Sequence, residues 1–196
     1  MIKNIKPNSL IITHHPLIFS PLKRLNDDSY STKILKKLIK KDISLISMHT
    51  NIDKTHLNSY VGNEILGLNF VKKDEFVYTA DVNMSFKELQ TLIKKKLSLK
   101  VLKVVDTNKK IKSISLTTGA GMSLLPSIKA DCFLTGDIKY HEAMEAKALG
   151  ISLIDIGHYE SEHHFATLLS GLIKKYLKLN EIKGIIIASQ NPFEYK

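Results

Sequence analysis

The sequence contains one cysteine, Cys132, which excludes an internal disulfide and every cysteine-rich zinc module. Any bound metal must therefore be held by nitrogen and oxygen, and the composition fits a reducing compartment. No stretch approaches the ~18 uninterrupted apolar residues of a membrane helix. The opening Met1-Ile2-Lys3-Asn4 also lacks the apolar run of a signal peptide. A soluble, cytoplasmic protein with no membrane partner is expected. Arginine is nearly absent: Arg24 is the one guanidinium among 29 basic residues, although the formal net charge is +10. Bidentate recognition of phosphates and guanine edges favours that group, so the charge is poor support for a nucleic-acid partner. The lysines instead cluster as Lys36-Lys37, Lys40-Lys41, Lys94-Lys95-Lys96 and Lys174-Lys175. Each cluster lies in a segment with helical apolar spacing, the pattern of a solvated outer face. A nucleic-acid surface is disfavoured without being excluded, and a general attraction for anionic substrates remains. Internal repeats and low-complexity tracts are also missing.

What is present is an alternation of short apolar runs with longer amphipathic patterns. At 196 residues and 43% hydrophobic, the chain can bury a core as one compact domain or two small lobes. The alternation predicts an α/β fold with a mixed, largely parallel sheet flanked by helices. Strands are expected at 9–14, 43–49, 101–106, 113–118, 132–135, 152–157 and 184–189. Helices are expected at 30–41, 85–97, 122–129, 141–149 and 162–177, with Ser85 and Glu88 forming a capping box. The weakly periodic stretch 63–81 is read as a junction, giving lobes of residues 1–75 and 76–196. The first lobe is thin, because two strands and one helix make a poor sheet.

Histidines and carboxylates gather in three clusters at the predicted strand ends: His14-His15-Pro16, His49-Thr50-Asn51-Ile52-Asp53 and His158-Tyr159-Glu160-Ser161-Glu162. Strand ends of such sheets lie side by side, so distant clusters can converge on one cleft. Taken singly, the first two permit plain readings. His14 and His15 could be one buried, hydrogen-bonded histidine beside an exposed one, and Asn51 or Asp53 could cap a helix. His158 and Glu162 are spaced four apart at a helix start, placing both heads on one face, with His163 and His164 directed elsewhere. The bland alternative is an ordinary hydrogen-bonded pair. Taken together, the clusters point to a metal. Two further loops stand out. Thr117-Thr118-Gly119-Ala120-Gly121 could cradle a phosphate or only permit a tight turn. Thr135-Gly136-Asp137-Ile138-Lys139-Tyr140-His141 could supply hydrogen bonds to ligands or move protons, or Asp137 could simply cap a helix.

On the ordered motifs 12–19, 49–53, 135–141 and 157–162, the chain resembles the YbgI family, also called NIF-three-like proteins or GTP cyclohydrolase I type 2 homologs. The resemblance implies a dinuclear centre in a cleft between two α/β lobes, with subunits assembled as a homohexamer. It implies metal ligation by His14, His15, Asp53, His158 and Glu162, with Glu162 bridging. His49 becomes a neighbour of the metal or a contact to substrate, and Asp137 and His141 of the 135–141 loop are candidates for hydrogen bonds to the ligands. Three imidazoles and two carboxylates suit two divalent ions of Zn, Mn, Fe or Co, and open positions on paired ions can acidify water for hydrolysis. The implied activity is metal-dependent hydrolysis of a small, nucleotide-like molecule such as GTP. A metal-delivery protein and a regulatory binding protein are the alternatives. The family normally carries a further strand-helix-strand unit with an Asp-Asn motif before the His-His-Pro motif. A loss of that unit is expected here, and no extra domain lies between the lobes.

Overall fold

The computed structural model describes residues 4–107 and 110–194. It divides into two compact units, residues 1–52 and 53–196.

The first unit is a strand, helix, strand crossover comprising β1 (Leu10–Thr13), α1 (Tyr30–Lys40) and β2 (Ser44–Ser47), followed by a short helical turn, α2 (Thr50–Ile52). Ser29 starts α1 because its hydroxyl accepts a hydrogen bond from the Thr32 amide at 3.2 Å, relieving one of the unpaired donors of the first turn. Lys37 and Lys40 occupy the last turn, where positive charge opposes the negative end of the helix dipole. The crossover makes β1 and β2 parallel, with Leu10 opposite Ser44 and Thr13 opposite Ser47. This register brings both C-terminal strand ends to one edge.

The second unit opens with a helical stretch that contains two wide π turns, Asp53–Leu57 and Val61–Ile65, around α3 (Asn58–Tyr60). There follow β3 (Val71–Lys72), β4 (Tyr78–Ser85), α4 (Phe86–Lys96), β5 (Lys103–Val105) and β6 (Lys110–Leu116). A 3₁₀ segment (Met122–Ser127) leads to β7 (Cys132–Thr135), α5 (Tyr140–Ala148), β8 (Ser152–Asp155), α6 (His158–Glu162) and α7 (Phe165–Leu179). The strand order is β3-β4-β6-β7-β8-β5. The central β6-β7-β8 strands are parallel, and antiparallel pairings complete the sheet on both sides. The expected mixed α/β architecture is therefore what forms.

Strand β7 shows why the sheet needs helices on both faces. Its four residues are all buried. Cys132 and Leu134 face a core with Leu57, Phe86, Leu89 and Ile93, whereas Phe133 faces a second core with Leu125, Ala146 and Leu153. Alternate side chains of one strand serve opposite faces, so a strand covered on both sides reads as a continuous apolar run. Helix α4 supplies one cover. Phe86, Leu89 and Ile93 form its buried stripe, and the predicted capping box is present: Ser85 Oγ accepts from the Glu88 amide at 3.2 Å, while Glu88 Oε2 accepts from the Ser85 amide at 2.7 Å.

Three expectations fail locally. No strand is expected within 63–81, yet β4 begins at Tyr78 and pairs with β6 along the sheet, and Leu66, Phe70, Val77, Tyr78 and Ala80 are buried. Where an α-helix is expected at 122–129, only Met122–Ser127 are helical and they form a 3₁₀ segment, because Pro126 cannot donate the amide an α-helix needs there. Residues 184–189 form no strand; Ile185, Ile186 and Ile187 have the propensity but find no strand partner among the described residues, and all three are exposed. No described helix is long and apolar enough to cross a membrane.

Candidate metal centre

In the first unit, the parallel register of β1 and β2 delivers the histidines. The Thr13 carbonyl accepts from the Met48 amide at 2.8 Å, and Thr13 Oγ1 lies 3.1 Å from Ser47 Oγ. These contacts lock the two strand ends in step, and the chain then releases His14-His15 from one end and His49 from the other. Their rings meet. The centroids of His14 and His15 are 4.8 Å apart, those of His14 and His49 5.5 Å, and those of His15 and His49 5.4 Å. His14 is buried and His15 exposed. Three imidazoles from two sequence clusters thus share one sheet edge, as strand-end adjacency predicts.

In the second unit, the same rule acts on β7 and β8, whose parallel register ends with Thr135 opposite Asp155. Asp137 and His158 leave these neighbouring strands, and Asp137 Oδ2 lies 2.6 Å from His158 Nδ1. One helical turn on, Glu162 Oε2 is 3.0 Å from His158 Nε2. The imidazole is held at both nitrogens by carboxylates. The hydrogen bond the ring donates to Glu162 raises its pKa most, Asp137 adds to that, and burial opposes both, leaving it at about 9. A carboxylate on Nδ1 fixes the tautomer that presents Nε2 as a ligand, and a divalent ion can then replace the proton shared with Glu162. The donors present fit a metal on this count. Asp137 has a positive φ of 55° and serves His158 rather than capping α5, whose Glu142 carboxylate instead accepts from the Lys139 amide at 2.8 Å.

Close backbone approach explains the glycines. Gly119 has φ +66°, and a Cβ there would overlap Glu162 Oε1. A Cβ on Gly136 would lie 2.6 Å from the His158 backbone nitrogen. These positions are bare so that α6 can sit against the loops. A phosphate cradle at 117–121 does not survive. The Thr118 amide donates to Asn58 Oδ1 at 2.7 Å, the Gly119 amide to Ser161 Oγ at 3.0 Å and the Gly121 amide to Thr135 Oγ1 at 2.8 Å. The amides of Thr118, Gly119 and Gly121 are thus spent on the fold.

The remaining candidates fall as follows. Asp53 is half-buried at the start of its π turn, and its carbonyl accepts from Asn58 Nδ2 at 3.0 Å. His141 is exposed, with its ring edge-on to Tyr140 at 5.3 Å. His163 donates from Nδ1 to the Glu160 carbonyl at 3.1 Å and stacks on Tyr159. Burial, and then the neighbouring His163, push the His164 pKa down to about 4. Its Nε2 is buried with no hydrogen-bond partner among the described residues, so this ring is a neutral packing group.

Asn58, Ser161 and Asp155 were missed as site residues. Asp155 accepts from the Gly157 amide at 3.1 Å and the Ile138 amide at 3.3 Å, and Lys103 pairs with it at 2.8 Å. It therefore ties the loop of Asp137 to the turn before His158. Ser161 sits inside a motif already singled out, but nothing in the sequence marks Asn58.

Residues 3–192 match the family described as Duf34/NIF3 (NGG1p interacting factor 3). A GTP cyclohydrolase 1 type 2 homolog of Campylobacter jejuni is 50% identical over the whole chain and 80% of its own length. The GTP cyclohydrolase 1 type 2 of Helicobacter pylori strain J99 is 44% identical over 97% of the chain and 78% of its own length. Among solved structures, a Staphylococcus aureus hypothetical protein superposes with a TM-score of 0.79 at 28% identity, over 95% of this chain and 80% of that one. With this extent of match, the chain belongs to the Duf34/NIF3 family.

Proposed function

We propose that the protein is a metal-dependent hydrolase with a dinuclear centre, acting on a small, nucleotide-like substrate. Two divalent ions would be held by His14, His15, Asp53, His158 and Glu162. The observation that carries the reading is His158, gripped at Nδ1 by Asp137 at 2.6 Å and facing Glu162 from Nε2 at 3.0 Å. Such a carboxylate, histidine, acid relay is the usual support of a metal-binding imidazole. The donor chemistry of His14, His15 and Glu162 also suits an ion, and mixed imidazole and carboxylate donors select Zn, Mn, Fe or Co over Mg or Ca. When bound, paired ions polarise a substrate bond and activate water.

The protein's own groups supply the rest. Asp137 fixes the His158 tautomer, Gly119 leaves room for the Glu162 carboxylate, and Ser161 anchors the Gly119 amide. His49 and His141 would be substrate or proton contacts. The net charge of +10 favours an anionic substrate. The names of the Campylobacter and Helicobacter relatives make GTP, opened at its base ring, the first molecule to try. The reading includes a cytoplasmic homo-oligomer, a hexamer by family resemblance.

A metal-delivery protein is the second reading, because the same donors could hold ions without turnover. Metal-loaded protein incubated with GTP and a nucleotide panel separates the two. Substrate consumption that disappears with a chelator and returns with Mn or Zn supports the hydrolase. Tight metal binding with no turnover, and rapid exchange of the ions, supports delivery.

A further inference from the structure

Asn58 is fully buried and uses every hydrogen-bonding position of its amide. Its Nδ2 donates to the Asp53 carbonyl at 3.0 Å and to the Phe76 carbonyl at 3.2 Å. Its Oδ1 accepts from the Thr118 amide at 2.7 Å and from Thr118 Oγ1 at 3.1 Å. An amide is the one small side chain that offers two donors and a doubly accepting oxygen. The isosteric carboxylate would face two carbonyl oxygens with no proton to give, and burial makes such a mismatch costly.

The partners of this amide matter more than its burial. Asp53 is a proposed ligand. Thr118 precedes Gly119, whose amide is bonded to Ser161 Oγ at 3.0 Å and whose bare Cα faces Glu162 Oε1. Ser161 Oγ in turn donates to the His158 carbonyl at 2.9 Å. One side chain therefore connects the backbone of Asp53 to the turn against which Glu162 and His158 are seated. The π turn between Asp53 and Asn58 makes this reach possible, because a wide turn displaces the following residue from ordinary helical spacing.

We infer that Asn58 is a positioning residue of the metal centre, fixing Asp53 relative to the Gly119 turn and thereby setting metal affinity without touching the ions. The inference rests on the proposed metal-binding function. A supporting partner of a metal ligand is typically worth about 10- to 100-fold in affinity.

The test compares Mn and Zn affinities of the full-length wild type, Asn58→Asp, Asn58→Ser and Thr118→Val by chelator competition. Circular dichroism and Tm without metal are measured alongside, as is the visible spectrum of the Co-loaded forms. Thr118→Val guards against misfolding, since it keeps the amide and removes only one hydroxyl bond to Asn58. Asp131→Asn is the control. Asp131 clamps the Lys112 and Ser113 amides at 2.8 and 3.0 Å, next to the N-terminal end of β7 and so at the other end of that strand from Asp137, and its loss should lower Tm alone. The expected result is about 10- to 100-fold weaker binding for the Asn58 variants, a smaller loss for Thr118→Val, an altered Co spectrum, and unchanged affinity for Asp131→Asn. Normal wild-type binding with variants that lose only Tm, in step with the control, overturns the positioning role and leaves the metal function standing. A wild type that binds no metal overturns both.

Discussion

The two units use one device at different depths of support. In residues 1–52, parallel β1 and β2 end in step and bring His14, His15 and His49 together, but the sheet stops at two strands and Leu10 and Ile46 on them are about half exposed. In residues 53–196, parallel β7 and β8 end in step and bring Asp137 to His158, inside a six-stranded sheet with a core on each face. Parallel strand ends are thus enough to gather the side chains, whereas holding them rigid requires covered strands and bonded loops. The second unit also adds a glycine cut-out, a serine anchor and a buried amide behind His158 and Glu162.

Breaking the cover should hurt most. Phe133 is fully buried in the second core, so Phe133→Ala should cost about 3–5 kcal/mol in denaturant unfolding, and a loss under 1 kcal/mol would deny the core its place. Next in size is Gly119→Ala. Its φ of +66° alone costs a side-chain-bearing residue about 1–2 kcal/mol, and the added methyl displaces Glu162. Both Tm and metal affinity should fall, and a variant that keeps wild-type affinity would show that the carboxylate does not need that space.

A smaller effect follows from pH. The pKa of His158 is raised to about 9 in the metal-free protein, against an unfolded value of about 6.5. The stability it contributes is fully present below about 6.5 and is lost as pH rises through about 9. Metal competes with that same proton, so binding should strengthen over the same rise. An NMR titration of chelator-treated protein checks this, and Asp137→Asn should lower the midpoint. A His158 midpoint at or below 6.5 would contradict the two-carboxylate grip. Smallest of all, Ile46→Ala on the half-exposed β2 should shift stability by about 0.5–1 kcal/mol, and a penalty matching that of Phe133→Ala would erase the contrast between the units.

Much of this was legible in the residues because strands and their ends leave local marks. The runs before His14, His49 and His158 are short and apolar, and the four-residue spacing of His158 and Glu162 becomes a 3.0 Å contact. Strand β4 is missing from the expected strands although Tyr78-Thr79-Ala80-Asp81-Val82-Asn83-Met84-Ser85 alternates apolar and polar residues, the period-two mark of a half-buried strand. Tyr78, Ala80, Val82 and Met84 all pack on one core, and reading 63–81 as a junction hides that signal. The reverse error arose at 184–189, where three isoleucines carry strand propensity, yet a strand also needs a neighbour. Asn58 was invisible for a different reason. Its partners Phe76 and Thr118 lie 18 and 60 residues away, so its role exists only once the chain has folded.

The central claim is that residues from these strand ends hold metal. Its most direct test is the metal content of the purified protein beside Glu162→Ala, after reloading with Mn or Zn and removal of free ions. The account predicts about two ions per chain for the wild type and loss of the site in the variant, with circular dichroism and the Tm of the metal-free forms showing that the variant is folded. Retention of both ions by Glu162→Ala, or a wild type that holds none, would contradict it.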